Sequence, residues 1–263
     1  MSKGLFEKRV AGVAVQVKVE ISGNLDVSVG TGFLYKASLN DDGEDRSITL
    51  LVSNKHVFAD PAGKLSFNLN CRDDDGNPLY GRVKSFDSNG FQAAYYEHPD
   101  PKVDLACVNV SGVSREQVFY KILDSKFTKN IGHKIIGGGT EVIFPCYPSN
   151  GYDVANNRAL VKKGVIASSP DSSFNRQDQI FIDAEIVTGC SGSPVFVLAN
   201  GEYLLLGVVS QTITKHSKPK TLSGVSSKSR SQKTLGGFVI KQKYVKQLLE
   251  HAVSEFHKRN PDA

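Results

Sequence analysis

Three residues of this chain have the types and the order that acyl-transfer chemistry needs. Ser191 lies between Gly189 and Gly192, just after an apolar run. Glycine permits the tight turn and the close approach of substrate that a nucleophilic hydroxyl requires, and nearby backbone N–H groups can then bind an oxyanion. Earlier in the chain, His56 could accept the proton of the serine and Asp104 could orient the imidazole.

The segments around these residues predict that His56 and Asp104 lie at the ends of β-strands. A run rich in leucine and β-branched residues, Leu50–Ser53, leads into His56, and Asp104 begins an apolar segment that extends to Val110. A sheet can hold a histidine at such a position, and a carboxylate there can be partly buried. The chain order His56, Asp104, Ser191 is that of chymotrypsin-like double barrels and differs from the orders in subtilisins and α/β-hydrolases.

Short segments in a consistent order resemble the sequences of trypsin-like serine peptidases, most closely the bacterial HtrA-like and glutamyl-endopeptidase-like branches. They are Gly30–Leu34, Ser53–Val57, Asp104–Ala106, Val161–Ile166, Ile182–Ala184, Leu206–Ser210 and Gly237–Ile240. The resemblance extends over most of the chain. It implies an all-β fold with two antiparallel β-barrels of the chymotrypsin-like type and a C-terminal α-helix.

The distribution of turn residues and apolar residues agrees with this fold class. From residue 10 to about residue 110, short alternating segments are separated by clusters of Gly, Asn and Asp, which favours an antiparallel sandwich or barrel. The resemblance divides the chain into an N-terminal barrel over residues 1–122 and a C-terminal barrel over residues 123–263, with a connection over residues 111–133. From Lys241 to His257, apolar residues at helical spacing predict a helix.

The resemblance implies peptide-bond hydrolysis through an acyl-enzyme. Ser191 would attack the scissile carbonyl, His56 would transfer the proton, and Asp104 would stabilise the imidazolium. The backbone N–H groups of Gly189 and Ser191 would form the oxyanion hole. No cofactor and no metal site are expected.

The residues that select the substrate are less well defined. Ser210, Gln211 and Thr212 would form the edge that pairs with the substrate backbone, and Thr188 with Thr212 could hydrogen-bond a substrate carboxylate. Glu185 lies six positions before the predicted nucleophile, the offset at which trypsins carry the charge that selects Lys or Arg. A pocket for basic side chains and a small or apolar pocket are both compatible with this sequence.

Cys190 stands where the family usually has Asp or Asn before the serine. The ion pair that trypsin-like zymogens make with that Asp is therefore not expected, nor is activation by N-terminal cleavage. A thiol beside a hydroxyl also raises the question of which group attacks. Ser191 has Gly189 two positions before it, whereas Cys190 has Thr188, so the sequence predicts Ser191 as the nucleophile.

Cysteine spacing and composition restrict the other classes of site. Cys71, Cys107, Cys146 and Cys190 show no Cys-x-x-Cys spacing, so zinc is not expected and free, mostly buried thiols are. The beginning of the sequence has no apolar run of the kind that a secretory signal contains, and no stretch is long and apolar enough for a membrane span. We therefore expect a soluble cytoplasmic protein that acts on a protein or peptide substrate.

Two charged segments leave alternatives open. The acidic residues of Asp73–Asn77 resemble those of a calcium-binding loop. A solvated hairpin is favoured because the glutamate that ends a twelve-residue calcium loop is missing. The basic, serine-rich segment over residues 215–233 predicts a solvated loop, with a lid or a contact to an acidic partner as alternatives. With a net charge of +5 and no interleaved aromatic residues there, nucleic acid is not an expected partner.

Two hypotheses about function follow. In the first, the chain is a serine endopeptidase that a regulatory partner or signal gates, with a catalytic loop that is incompletely formed at rest. In the second, it is a protease-fold module that binds extended peptides at the Ser210 edge without cleaving them.

Overall fold

The computed structural model describes residues 10, 12–39, 46–113, 116–129, 131, 136–149, 151–215 and 233–261. Over these residues the predicted all-β fold with a C-terminal helix is confirmed, and a short 3-10 helix spans Gln92–Ala94. The strands are β1 (Ala14–Glu20), β2 (Val27–Ser38), β3 (Ser47–Ser53), β4 (Lys64–Arg72), β5 (Pro78–Asn89), β6 (Tyr95–Glu97), β7 (Ala106–Asn109), β8 (Val118–Phe119), β9 (Glu141–Cys146), β10 (Leu160–Ile166), β11 (Gln179–Ala184), β12 (Pro194–Ala199), β13 (Glu202–Lys215) and β14 (Lys233–Lys241), and the helix is α1 (Gln242–Arg259).

The N-terminal half is an eight-stranded sheet in the order β5-β4-β1-β2-β3-β7-β6, with β8 paired to β4. Alternate residues of its strands point to one core, as the two-residue period of a strand requires. In the part of the chain that the structure describes, the hydrogen-bonded ladder does not close, and β5 and β6 form its two edges. Phe86 of β5 and Tyr95 of β6 nevertheless pack against the same core.

The C-terminal half is a closed barrel in the order β10-β11-β14-β13-β12-β9. Its interior is filled by buried apolar side chains such as Phe144, Ile182, Val195 and Val239. Closure leaves no unpaired edge around most of this barrel, so its strands form a rigid base for the loops between them.

A third apolar cluster joins the two halves to the helix. Val245, Leu248, Leu249 and Ala252 form the buried stripe of α1, with the spacing expected for one helix face. This stripe packs into a cluster that contains the outer face of the N-terminal sheet and the outer face of the barrel. The helix therefore fixes both halves from one side.

The connection predicted over residues 111–133 is partly a strand. β8 pairs with Asn70 and Cys71 of β4, and the backbone of Leu123 exchanges hydrogen bonds of 2.7 and 2.9 Å with Lys36 and Leu34. Val118 and Leu123 are buried, and that burial is the physical reason the segment follows the sheet. In the described part of the chain, no helix is long and apolar enough to cross a bilayer.

Candidate active site

His56 lies in a tight turn after β3. The carbonyl of Asn54 accepts the N–H groups of Val57 and Phe58 at 3.2 and 3.3 Å, and the Asn54 side-chain amide donates to the backbone carbonyl of Asp104 at 2.8 Å. Val57 and Phe58 are buried in the N-terminal core. Apolar anchors on one side and Asn54 on the other thus hold the turn against the segment that carries Asp104.

The carboxylate of Asp104 holds both the ring and the backbone of His56. The distance from Nδ1 to Oδ2 is 2.6 Å, and the His56 N–H donates to Oδ1 at 3.1 Å. An ionised carboxylate only accepts hydrogen bonds, so Nδ1 carries the proton and Nε2 becomes the acceptor. The His56 side chain is 49% exposed and the Asp104 side chain 26%, so the ring reaches the surface with its basic nitrogen.

Ser210 connects this pair to the Ser191 loop. Its hydroxyl donates to Oδ2 of Asp104 at 3.3 Å, while its backbone carbonyl accepts the hydroxyl of Ser191 at 3.2 Å. The sequence indicated Ser210 only as part of a substrate-binding edge, and its contact with Asp104 was missed. Ser210 has no flanking pattern of its own that indicates this contact, which joins residues 106 positions apart.

Strand β2 lies between the His56 turn and the Ser191 loop. The N–H of Thr31 donates to the backbone carbonyl of Ser191 at 2.8 Å, and a Cβ on Gly30 would lie 2.5 Å from the side chain of Val57 and 3.1 Å from that same carbonyl. The two loops are therefore packed against one strand. Among the hydrogen bonds of the described residues, however, none joins Ser191 to His56.

The backbone of the Ser191 loop leaves two N–H groups available to a ligand. The carbonyl of Thr188 accepts the N–H of Ser149 at 2.9 Å, and that of Cys190 accepts the N–H of Ser193 at 3.1 Å. In a planar trans peptide the N–H points opposite to the carbonyl, so the N–H groups of Gly189 and Ser191 point away from these contacts. Within the residues that the structure describes, neither has an acceptor. Two such donors, separated by one residue, have the character of an oxyanion hole.

Glycine is required at both ends of this loop. Gly189 has φ +94° and Gly192 has φ +85°, a region that side chains other than glycine rarely adopt. A Cβ on Gly189 would lie 2.4 Å from the carbonyl oxygen of Tyr147, and one on Gly192 would lie 1.9 Å from that of Thr31. The prediction that these glycines allow a tight, close-packed turn agrees with this geometry.

The predicted substrate residues lie around the same loop. Thr188 is exposed, and Ser210 lies in β13. The pairing of β13 with β12 ends at Val208, whereas its pairing with β14 continues to Lys215. Val209 is still bonded to the Ser191 loop, through its N–H to the carbonyl of Ser193 and through its carbonyl to the N–H of Gly192, so from Ser210 onward β13 has one edge without a partner among the described strands. Gln211 and Thr212 lie on this edge, and their side chains are outside what the structure describes.

Glu185 is not positioned as a free negative charge for a basic substrate. Its side chain is 76% exposed and pairs with the ammonium of Lys162, with 2.7 Å between Oε2 and Nζ. The hydrogen bond from Lys162 lowers the pKa of Glu185. Because the charge is already neutralised, this geometry gives no support to the pocket for Lys or Arg. Of the basic segment over residues 215–233, residues 216–232 lie outside the described residues.

Cys190 does not share the cleft with His56. Its side chain is fully buried in the barrel core together with that of Cys146, and Cys107 is buried in a different apolar cluster. A buried thiol is poorly placed to attack a substrate, so the orientation favours Ser191 over Cys190. Across the described residues, no cluster of three or more His, Cys, Asp or Glu side chains could hold a metal ion.

Comparisons with known proteins show the family and the fold. The sequence matches the family model described as "Trypsin-like peptidase domain" over residues 30–208. No curated protein matches the chain. The structure is similar to that of an HtrA-type protease, AlgW, solved with a decapeptide, with a TM-score of 0.52 and 16% identity over 97% of this chain and 68% of that one. At this identity the likeness is one of fold.

Two further solved structures are similar at lower scores. One is the tobacco vein mottling virus protease, with a TM-score of 0.49 and 13% identity over 91% of this chain and 82% of that one. The other is the active form of the Rv3671c protease from M. tuberculosis, with a TM-score of 0.47 and 18% identity over 92% of this chain and 81% of that one.

Proposed function

The chain belongs to the trypsin-like peptidase family, and from this premise we propose that it is a serine endopeptidase that hydrolyses peptide bonds through an acyl-enzyme. One observation carries the proposal: an Asp104–His56 hydrogen bond of 2.6 Å lies beside a glycine-bounded serine loop with two amide N–H groups that lack acceptors among the described residues.

The proposed reaction uses each of these groups in turn. The Ser191 oxygen attacks the scissile carbonyl carbon while Nε2 of His56 takes the hydroxyl proton, and Asp104 stabilises the imidazolium. The N–H groups of Gly189 and Ser191 bind the resulting oxyanion, each worth about 3 kcal/mol in the transition state. His56 then gives the proton to the leaving amine, and an ester links the acyl group to Ser191. Water, deprotonated by His56, hydrolyses the ester and restores the free serine.

The first step requires one local change. The Ser191 hydroxyl, which donates to the carbonyl of Ser210, must turn toward Nε2 of His56. Hydrogen bonds of catalytic groups are often formed only with substrate present. The edge of β13 that is unpaired from Ser210 onward would receive the substrate as an added strand. A peptide ligand is also present in the similar structure of AlgW, which was solved with a decapeptide.

Gating by a partner or signal stays a prediction. Its structural part, a loop that is incompletely formed at rest, gains no support from the hydrogen bonds that hold the carbonyls of Thr188 and Cys190. Turnover of unfolded casein by the isolated protein tests it. Rapid constitutive turnover would contradict gating, whereas activity that appears only with an added factor would support it.

The second candidate function is peptide binding without cleavage. It is favoured by the hydrogen bond from the Ser191 hydroxyl to the carbonyl of Ser210 rather than to His56. A protein locked in this arrangement would still offer the β13 edge to an extended peptide but would have no activated nucleophile.

Labelling with a fluorophosphonate probe, with the site located by mass spectrometry, separates the two functions. We expect label on Ser191 in the wild type and in Cys190→Ala, and none in Ser191→Ala. Ser193→Ala is a matched control, because Ser193 is in the same loop, is fully buried and has a hydroxyl without a partner among the described residues. A folded wild-type protein that takes no label on Ser191, either alone or with the added factor that gating requires, would contradict the endopeptidase proposal.

A further inference from the structure

Two buried thiols meet directly behind the Ser191 loop. Cys146 is the last residue of β9, and Cys190 immediately precedes Ser191. Both side chains are fully buried, and their sulfur atoms are 2.9 Å apart. A disulfide has its sulfur atoms about 2.05 Å apart, so an approach of less than about 1 Å would join them.

We propose that Cys146 and Cys190 are a disulfide-forming pair, and that the bond ties the Ser191 loop to strand β9 of the barrel. In this structure both are free thiols, which makes it the reduced form of the pair. The site is a covalent modification site that is separate from the groups that would contact substrate.

The backbone around the two sulfur atoms is already joined on both sides. The N–H of Ser149, three residues after Cys146, donates to the carbonyl of Thr188 at 2.9 Å, and the hydroxyl of Thr31 donates to the carbonyl of Gly189 at 2.7 Å. The N–H of Tyr147 donates to the hydroxyl of Thr31 at 2.9 Å. Because these bonds hold the segments in register, closing the sulfur–sulfur distance requires little backbone movement.

The contact between the two thiols favours ionisation of one sulfur. The hydrogen bond with Cys146 lowers the pKa of Cys190 against the effect of burial, which raises it, and the positive charge of Lys162 lowers it while the charge of Glu185 raises it. The same hydrogen bond, together with burial, raises the pKa of Cys146. Because Lys162 also pairs with Glu185, the hydrogen bond between the two sulfur atoms is the main cause of the difference. Cys190 is therefore the member that forms the thiolate, which is the attacking species in thiol–disulfide exchange.

The oxidation balances with a low-molecular-weight disulfide such as glutathione disulfide as oxidant. The Cys190 thiolate attacks one sulfur of the oxidant, which forms a mixed disulfide and releases one thiolate. The Cys146 sulfur, after losing its proton, attacks the Cys190 sulfur and releases the second. The pair loses two protons and two electrons, and the oxidant becomes two thiols. Because both sulfur atoms are enclosed in the fold, exchange takes place during folding or local opening.

The other two cysteines serve as internal controls. Cys107 is buried in a different cluster, on β7 of the N-terminal sheet, and burial raises its pKa. Cys71 is partly exposed, near the end of β4. Neither has a sulfur partner among the described residues, so Cys146–Cys190 is the expected linkage.

The test is oxidative refolding of the full chain. The protein is unfolded, refolded in a glutathione redox buffer, alkylated, and digested without reduction for mass spectrometry. We expect a linked peptide pair that contains Cys146 and Cys190 and is lighter than the two free peptides by two hydrogen atoms. The link should be retained in Cys71→Ser and absent in Cys146→Ala. The proposal would be overturned if Cys146 and Cys190 were both alkylated in a refolded wild type whose Cys71 carries glutathione. A dominant link between other cysteines would also overturn it.

Stability gives a second readout that needs no variant. A bond between Cys146 and Cys190 closes a long loop and restricts the unfolded chain, so the linked wild type should melt about 5–10 °C above the reduced wild type. In Cys146→Ala the two redox conditions should give the same melting temperature. Equal melting temperatures for linked and reduced wild type would remove the argument that the bond stabilises this region.

Only the effect on catalysis rests on the proposed function. We expect fluorophosphonate labelling of Ser191 to persist to a higher temperature in the linked form than in the reduced form, because the bond holds the loop that carries both oxyanion donors. If the link forms and neither form takes label, even with the added factor that gating requires, the endopeptidase proposal fails and the disulfide stands. If the reduced form labels and no link can be formed, the disulfide proposal fails alone.

Discussion

At the scale of single residues, Asp104 receives three donors. It accepts the ring Nδ1–H and the backbone N–H of His56 and the hydroxyl of Ser210. These contacts fix the tautomer of His56 as well as its position. The Asp104 side chain is only about a quarter exposed, and its two oxygen atoms accept these three hydrogen bonds.

Replacing Asp104 with Asn should preserve the fold and abolish most of the chemistry. The amide nitrogen would face Nδ1 and favour the wrong tautomer, and we expect labelling and peptide hydrolysis to fall by about 10⁴-fold. Ser210→Ala is the matched variant, because it removes only one neutral donor, and we expect a loss within about tenfold. Rates measured on variants with wild-type circular dichroism check this. Equal losses for the two substitutions would show that His56 is not positioned through Asp104.

The loop glycines have a separate residue-scale consequence. At Gly192 the positive φ and a Cβ only 1.9 Å from the Thr31 carbonyl mean that Gly192→Ala must displace backbone. We expect it to lower the free energy of unfolding by about 3 kcal/mol or more. Gly112→Ala is the control, since a Cβ there meets nothing within 4 Å, and its effect should be under about 1 kcal/mol. Urea unfolding measures both, and a stable Gly192→Ala protein would mean that the loop can adopt another path.

At the scale of elements, the start of α1 is fastened to the barrel by one carboxylate. Asp178, just before β11, accepts the hydroxyl of Tyr244 at 3.0 Å and pairs with Lys241 and Lys243. No side chain caps the N-terminus of this helix. Burial alone would raise the pKa of Asp178, but these three donors hold it at about 2. The clamp matters because α1 packs across both halves.

This carboxylate predicts a pH dependence of stability. The pKa of Asp178 is about 2 in the folded protein and 3.8 when these interactions are absent. Its contribution to the free energy of unfolding is therefore complete above about pH 4 and is lost as the pH falls toward 2. Asp178→Asn should cost about 1–2 kcal/mol at pH 7, a figure reduced for partial exposure. The difference from wild type should disappear near pH 2. Urea unfolding at pH 7, 4 and 2.5 checks this, and a pH-independent difference would contradict it.

At the scale of the whole molecule, the candidate site exists only because the two halves meet at Thr31. This fully buried residue of the N-terminal sheet donates its hydroxyl to the carbonyl of Gly189 at 2.7 Å and accepts the N–H of Tyr147. Its N–H donates to the carbonyl of Ser191. Thr31 belongs to the half that carries His56 and Asp104, and its hydrogen bonds hold the Ser191 loop of the other half.

Removing the Thr31 hydroxyl should loosen the site and the interface together. Thr31→Val keeps the shape but leaves a buried carbonyl and a buried N–H unpaired, so we expect a loss of about 2–3 kcal/mol in the free energy of unfolding. Labelling of Ser191 should also slow. Thr31→Ser retains the hydroxyl and should recover most of both properties. If Thr31→Val and Thr31→Ser behaved alike in unfolding and labelling, the hydroxyl would not be what couples the halves.

Much of the fold and part of the site could be predicted from sequence because their signals are local. Alternation along β1, the apolar runs before His56 and after Asp104, and the stripe of α1 are set by neighbouring residues, whose side chains choose between periods of 2 and 3.6. The glycines around Ser191 likewise report a backbone conformation that only their own residue type allows.

Only the tertiary structure decided the contacts between distant segments. The hydroxyl of Ser210 on Asp104, the grip of Thr31 on the Ser191 loop, the neutralisation of Glu185 by Lys162 and the meeting of Cys146 with Cys190 have no signature in the chain. Nor does the open ladder of the N-terminal sheet. Each depends on strand register and on which faces pack together, and these follow from the summed burial of the whole molecule rather than from any short segment.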